Sequence, residues 1–163
     1  MKVAKTIRHK ILNHASIFDE TIRVYNEALS FIIEVIDTEV ADPNAYSTKE
    51  MTNLIERLIH ATKSNPTPKY AEFNRRFYKF PSYFRRAAIA TAFGKVKSYR
   101  SLLENWETEK QVALENGRKF NKQPPTKQLT HKEFPVLYKG NMFKRTSDTT
   151  ACIKAFVKND WVW

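Results

Sequence analysis

The sequence predicts an α+β protein in which a sheet built from the two ends of the chain is interrupted by a helical segment. Residues 2–12 alternate between apolar and basic side chains, which is typical of a half-buried strand. The other strand-like runs come only after residue 130, and the sequence between them carries apolar residues at helical spacing. A strand at residues 2–12 therefore needs partners from the other end of the chain.

Composition indicates a folded, basic protein. The 163 residues are 42% hydrophobic, and the formal net charge is +11. Such an excess favours a polyanionic partner, with nucleic acid first and an anionic membrane surface second. No apolar run approaches the roughly 18 residues of a membrane span, so we expect a soluble intracellular protein with no membrane association. The single cysteine, Cys152, excludes an intramolecular disulfide within these residues.

The positive charge is unevenly spread along the chain. Residues 1–65 carry eight Lys and Arg against nine Asp and Glu, whereas residues 66–100 carry nine against one. Residues 101–116 carry one against four, and residues 117–163 carry ten against three. Two basic blocks therefore flank a short acidic one.

Two helices are predicted before residue 60. Apolar residues recur at steps of three and four between positions 18 and 40, and Ser16 with Asp19 provides a plausible capped start. Ser47 with Glu50 forms a capping box for a second helix. We expect the two helices to pack as an antiparallel pair.

A short helix around residues 70–77 and a longer one over residues 82–106, with Ser82 as N-cap, are predicted next. On the longer helix Arg86, Phe93, Lys97 and Arg100 share one face at spacings of seven, four and three. Another, broad face is apolar and predicted to pack on the first two helices; it comprises Phe84, Ala88, Ala92, Val96, Tyr99, Leu103 and Trp106.

Short strands are predicted at residues 134–138, 142–145 and 150–157. Turns are expected at residues 139–141, 147–148 and 159–160. No catalytic, metal or cofactor site is predicted, because the three glycines are scattered and the four histidines have no ligand spacing.

The long predicted helix and its approach resemble the N-terminal region of the TnpB family, transposon-encoded relatives of the type V CRISPR effectors. The resemblance is carried by Phe80-Pro81-Ser82-Tyr83-Phe84-Arg85-Arg86-Ala87-Ala88, by Gly94-Lys95-Val96-Lys97-Ser98-Tyr99-Arg100-Ser101 and by Asn105-Trp106. Pro124-Pro125, the strand at residues 134–138 and Met142-Phe143-Lys144-Arg145 are similar in placement to that family's next segment.

This resemblance implies an oligonucleotide-binding-like β-barrel, the wedge domain, formed by residues 1–13 and 117–163. A helical recognition lobe at residues 14–116 would interrupt it. It further implies a portion of an RNA-guided DNA endonuclease that holds guide RNA, the RNA–DNA duplex or target DNA in a prokaryotic cytoplasm, near the nucleoid. The family's RuvC-like domain and zinc ribbon have no counterpart in these residues, so a C-terminal nuclease region or a full-length nuclease would be a partner.

The predicted nucleic-acid-binding residues combine cations for phosphates with aromatic rings for unpaired bases. Two alternatives remain open: a stand-alone regulator whose basic face docks on an acidic protein, and a merely solvated helix face that Glu104, Glu107 and Glu109 neutralise. The predicted phosphate contacts are Arg75, Arg76, Arg86, Lys97, Arg100, Lys144 and Arg145, with Lys5 and Arg8 carried over from the resemblance, and the predicted stacking residues are Phe93 and Tyr99.

Overall fold

A computed structural model of the chain describes residues 13, 15–128 and 131–163. The predicted N-terminal strand at residues 2–12, with Lys5 and Arg8, lies outside the described residues. The middle of the chain is helical, as the apolar spacing predicts. A 3₁₀ turn at Ala15–Phe18 leads into α1 (Asp19–Glu39), which is followed by α2 (Thr48–Ile59), α3 (Glu72–Arg76) and α4 (Ser82–Glu115).

The helix starts show where local sequence signals suffice. The Ser47 hydroxyl accepts from the Glu50 backbone N–H at 3.3 Å, and the Glu50 carboxylate accepts from the Ser47 backbone N–H at 2.8 Å. The predicted capping box of α2 is therefore confirmed. Ser16 instead lies in the 3₁₀ turn, and Ser82 is the first residue of α4. Neither α1 nor α4 has a side-chain hydrogen bond that caps its start.

Helix α4 is longer than predicted. Its 34 residues span about 51 Å at 1.5 Å per residue, nine residues beyond the predicted end at Trp106, and Gly94 does not interrupt it. The apolar face is buried at Phe84, Ala88, Ala92 and Val96, as predicted. Beyond residue 97 the helix leaves the core, so that half of α4 is mostly exposed.

The core forms mainly between α1 and the first half of α4. Tyr25 contacts Thr91 through their hydroxyls at 3.4 Å, and its ring meets that of Phe84 with centroids 6.4 Å apart. Asp37, further along α1, binds Arg100, further along α4, at 3.4 Å. The two helices therefore run side by side in the same direction. Helix α1 packs mainly on α4, and its expected pairing with α2 is a minor contact.

A cluster of aromatic rings anchors α3 and the loop after it. The centroid of the Phe73 ring lies 5.5 Å from the ring centroid of Phe31 in α1, 4.9 Å from that of Phe77 and 5.9 Å from that of Phe80. All four rings are buried. Such edge-to-face pairs contribute about 0.5–1.5 kcal/mol each beyond area burial.

The chain after α4 turns back along that helix, and we name residues 117–128 and 131–142 the return segment. Gly117 has φ +63°, the left-handed conformation that commonly follows a helix end. Trp106 Nε1 then donates to the Lys122 carbonyl at 2.8 Å. On α1, the Asn26 amide holds the Glu133 backbone by two hydrogen bonds: Nδ2 donates to the carbonyl at 3.0 Å, and Oδ1 accepts from the N–H at 2.9 Å.

The strands form two antiparallel pairs. Strand β1 (Phe143–Arg145) pairs with β2 (Ala151–Ile153), and β3 (Ala155–Val157) pairs with β4 (Asp160–Val162). The pair β3–β4 packs on α1 and α4. The Thr21 hydroxyl of α1 accepts from the Phe156 N–H at 2.8 Å, and the centroids of the Trp161 and Phe84 rings lie 4.6 Å apart.

Two predictions about the strands are wrong. Residues 134–138 belong to none of the strands that the structure describes. The run at residues 150–157 divides into two strands at Lys154, whose N–H instead donates to the Met142 carbonyl at 2.8 Å. Within residues 13, 15–128 and 131–163 the strands form no closed barrel, and the fold is α+β with small antiparallel sheets.

None of the described helices has the length and apolar character that crossing a membrane requires.

One buried arginine links α2 to α4. Arg85 is 6% exposed, and its guanidinium lies 3.3 Å from the Glu56 carboxylate, which also meets the exposed Arg86 at 3.3 Å. Burial lowers the pKa of Arg85 from its ordinary value, and the Glu56 carboxylate opposes that shift.

Gly94→Ala should raise the free energy of unfolding by about 0.5–1 kcal/mol, because alanine is the better helix former and a Cβ at this position meets no atom within 4 Å. Chemical denaturation would measure the change. Destabilisation would instead show that the flexibility of Gly94 is needed in the native helix.

Glu56→Gln should lower the free energy of unfolding by about 3 kcal/mol, because it leaves the buried Arg85 charge without its carboxylate. Arg86→Gln is the matched control: it removes the exposed half of the same cluster and should cost less than about 1 kcal/mol. Equal losses in urea denaturation would contradict the assignment of Arg85 as the buried partner.

Candidate nucleic-acid interface

The four residues predicted to share the binding face of α4 separate into buried and exposed positions. Phe93 is only 6% exposed and belongs to the hydrophobic core, so the prediction that it offers a ring for stacking is wrong. The reason is that α4 packs against both α1 and α2, so its buried arc is wider than a single apolar stripe. Lys97 remains exposed, with its ammonium 5.9 Å from the Phe93 ring centroid.

Arg100 binds the end of helix α1. Its Nη1 donates to the Val40 and Ala41 carbonyls, each at 2.6 Å, and its Nη2 meets the Asp37 carboxylate at 3.4 Å. A cation at a helix C-terminus satisfies carbonyls that have no intrahelical partner and complements the helix dipole. The Arg100 guanidinium therefore uses these donors within the fold. The spacing of residues along the sequence could not show this.

Arg75 and Arg76 lie on the outer side of α3, and both are exposed. Arg76 stacks its guanidinium 5.3 Å from the Phe77 ring centroid and approaches Glu27 at 3.9 Å. Tyr99 is half-buried and lines a cavity beside α1, so its ring is only partly accessible.

Lys144 and Arg145 lie on neighbouring positions of β1. The exposed Arg145 side chain binds the turn of the β1–β2 hairpin, donating to the Ser147 carbonyl at 2.9 Å and meeting Asp148 at 3.3 Å. Lys144 instead places its ammonium 3.8 Å from the centre of the Trp163 ring, and the Lys154 ammonium lies 5.5 Å from the same centre.

Contacts connect these residues into a series that contains both cations and aromatic rings. The Arg86 guanidinium lies 5.8 Å from the centroid of the Tyr83 ring, and that centroid lies 5.4 Å from the centroid of the Tyr138 ring. Lys139 follows Tyr138 in the sequence and forms an isolated backbone β-bridge with Phe143, the residue before Lys144. Lys139 and Lys144 line one shallow groove. We name this series the cation–aromatic track; its members are Arg86, Tyr83, Tyr138, Lys139, Lys144, Trp163 and Lys154.

The track remains accessible to solvent. Tyr138 is 40% exposed, Trp163 is 47% exposed, and the Arg86 side chain is 49% exposed. Ammonium and guanidinium groups bind phosphate oxygens, while accessible rings can stack on bases. This arrangement can bind a chain of alternating phosphates and bases.

Sequence reasoning missed five members of the track as binding residues: Tyr83, Tyr138, Lys139, Lys154 and Trp163. Only the aromatic Tyr83 beside Arg86 and the terminal Trp163 left a signal in the sequence. Lys144, Lys154 and Trp163 meet only because the β-strands fold back on one another, so no local spacing could have grouped them.

The cavity beside Tyr99 measures about 280 Å³ and contains Asp37, Lys95 and His131. Asp37 is engaged by Arg100 and by Lys127, and Lys95 pairs with Glu133 at 2.7 Å. Burial and the nearby Lys95 charge lower the pKa of His131, so its neutral form is favoured. In the described part of the chain no three His, Cys, Asp or Glu residues are grouped to hold a metal ion.

Arg100→Gln should lower the free energy of unfolding by about 1–2 kcal/mol, because it removes charged hydrogen bonds from the end of α1. Lys97→Gln, a loss of the same charge on the same helix, should change it by less than about 0.5 kcal/mol. Thermal and urea unfolding would measure both, and an unchanged stability of Arg100→Gln would contradict the capping role.

Comparison with known proteins gives a family but no characterised relative. No curated protein matches the sequence. No solved structure matches it. A family model described as the Aq_aa04 family matches residues 5–157, which include every helix and most of the strands. The chain belongs to the Aq_aa04 family.

Proposed function

We propose that this protein binds nucleic acid along the cation–aromatic track. The observation that carries the proposal is the connected series of cations and rings: Arg86 beside Tyr83, Tyr83 beside Tyr138, and Lys144 with Lys154 beside Trp163. The net charge of +11 supports it, because a basic surface attracts phosphate backbones over long range.

In its more specific form, the proposal follows the resemblance to the TnpB family. The ligand is then guide RNA, its duplex with DNA, or the target DNA, and cleavage belongs to a RuvC-like region that acts with this chain. A strand from residues 2–12 would join the C-terminal hairpins to complete a barrel of the oligonucleotide-binding type, and Lys5 and Arg8 would add phosphate contacts. Arg75, Arg76 and Lys97 are exposed and extend the basic surface beyond the track.

Three track lysines provide the test. Lys139→Gln, Lys144→Gln and Lys154→Gln, combined in one variant, should weaken RNA binding at least tenfold and reduce the log–log salt slope by about two, since each phosphate contact contributes about 0.7–0.9. Fluorescence anisotropy with a labelled RNA, between low and moderate salt, measures both quantities.

The matched control removes the same charge from exposed lysines outside the track, by combining Lys49→Gln, Lys63→Gln and Lys119→Gln. We expect this control to bind RNA several times more tightly than the track variant. Equal losses would mean that net charge alone drives binding. Absence of any binding to RNA or DNA, or binding that does not depend on salt, would refute the proposal and favour docking on an acidic protein.

A further inference from the structure

The loop between α3 and α4 presents a tyrosine that the track does not include. Tyr78 is 70% exposed, although Phe77 and Phe80 on either side are 4% and 6% exposed. Lys79 follows with φ +56°, a left-handed conformation that is uncommon for a residue with a side chain. The two buried phenylalanines fix the backbone on both sides of Tyr78, so its ring is held in solvent by an ordered loop.

One lysine lies beside this exposed ring, and two arginines lie on the turn that precedes it. The Lys79 ammonium lies 5.6 Å from the Tyr78 ring centroid and 3.6 Å from Asp160, which connects the loop to the β3–β4 hairpin. Arg75 and Arg76 lie on the preceding turn and are exposed. The loop therefore repeats the pairing of an accessible ring with basic side chains that Trp163 shows with Lys144 and Lys154.

Exposed rings distinguish the two forms of a nucleic acid. The faces of paired bases are covered by their neighbours in a duplex, whereas an unpaired base can stack on an aromatic side chain and gain about 1–3 kcal/mol. Phosphate contacts alone would serve a duplex equally well. An accessible ring beside a cation, found at two places, is suited to bases that are not paired.

We infer that the ligand is single-stranded where it meets the protein, and that Tyr78 and Trp163 are the stacking residues. The inference rests on the proposed function and specifies the class of nucleic acid. It assigns to Tyr78 a binding role, and Arg75, Arg76 and Lys79 then contact the phosphates next to the base that stacks on it.

Phe134 provides a matched control. It is 74% exposed, similar to Tyr78, but no cation of the described residues lies over its ring. Replacing it removes a comparable exposed aromatic surface without removing a pairing of ring and cation. A second control, Tyr78→Phe, keeps the ring and removes the hydroxyl.

The experiment compares a labelled 20-nucleotide single strand with a duplex of the same sequence, using the full 163-residue chain at one salt concentration. We expect the wild-type protein to bind the single strand at least about tenfold more tightly than the duplex. Tyr78→Ala and Trp163→Ala should each weaken single-strand binding by about 5- to 150-fold, the range that corresponds to the stacking energy. Both should leave duplex binding within twofold of wild type.

Phe134→Ala and Tyr78→Phe should bind the single strand as the wild type does. Thermal unfolding verifies that all four variants remain folded, which we expect because the replaced rings lie in solvent. RNA and DNA versions of the single strand should bind with similar affinity, because stacking on a ring uses the bases and not the sugar.

Equal binding of single strand and duplex, with steep dependence on salt, would overturn this inference and leave the proposed function standing. Equal losses in Phe134→Ala and Tyr78→Ala would also overturn it, because exposed apolar surface rather than stacking would then explain binding. No binding to either nucleic acid would instead refute the proposed function itself.

Discussion

The packing of α1 on the first half of α4 is the interaction on which the rest of the structure depends. Leu29, Ile32 and Ile36 are completely buried on one side, and Ala88 and Ala92 on the other have side chains small enough for close approach of the helices. Several of the described elements attach to this pair. Helix α2 reaches it through Glu56, the return segment through Asn26, and the β3–β4 hairpin through Thr21 and Trp161.

The basic residues have two different uses. Arg85, Arg100 and Lys127 hold elements of the fold together through Glu56 and Asp37. The track cations lie at or near the surface. Arg86, Lys144 and Lys154 lie beside aromatic rings, and Arg86 also binds Glu56. Lys139 lines a shallow groove together with Lys144. The charge available to a ligand is therefore smaller than the net charge suggests, but it is concentrated beside rings, which is the arrangement that makes a specific proposal possible.

The aromatic residues are divided in the same way. Phe73, Phe77 and Phe80 form a buried cluster, and the rings of Tyr78 and Trp163 remain in solvent beside lysines. Each of these two rings is accessible to solvent while a lysine ammonium lies over it, and the proposed stacking of unpaired bases rests on this pairing.

The sequence by itself determined the α+β class, the helical middle of the chain, the capping box at Ser47 and the apolar face of α4 from Phe84 to Val96, because these depend on periodicity and on residues a few positions apart. Only the tertiary structure decided that Phe93 is buried, that Arg100 binds the end of α1, and that residues 134–138 belong to none of the described strands. Each of these depends on which distant element packs alongside. Apart from the local pair of Tyr83 and Arg86, the track has the same origin, since Tyr138 meets Tyr83, and Trp163 meets Lys144, through contacts between segments far apart in the chain.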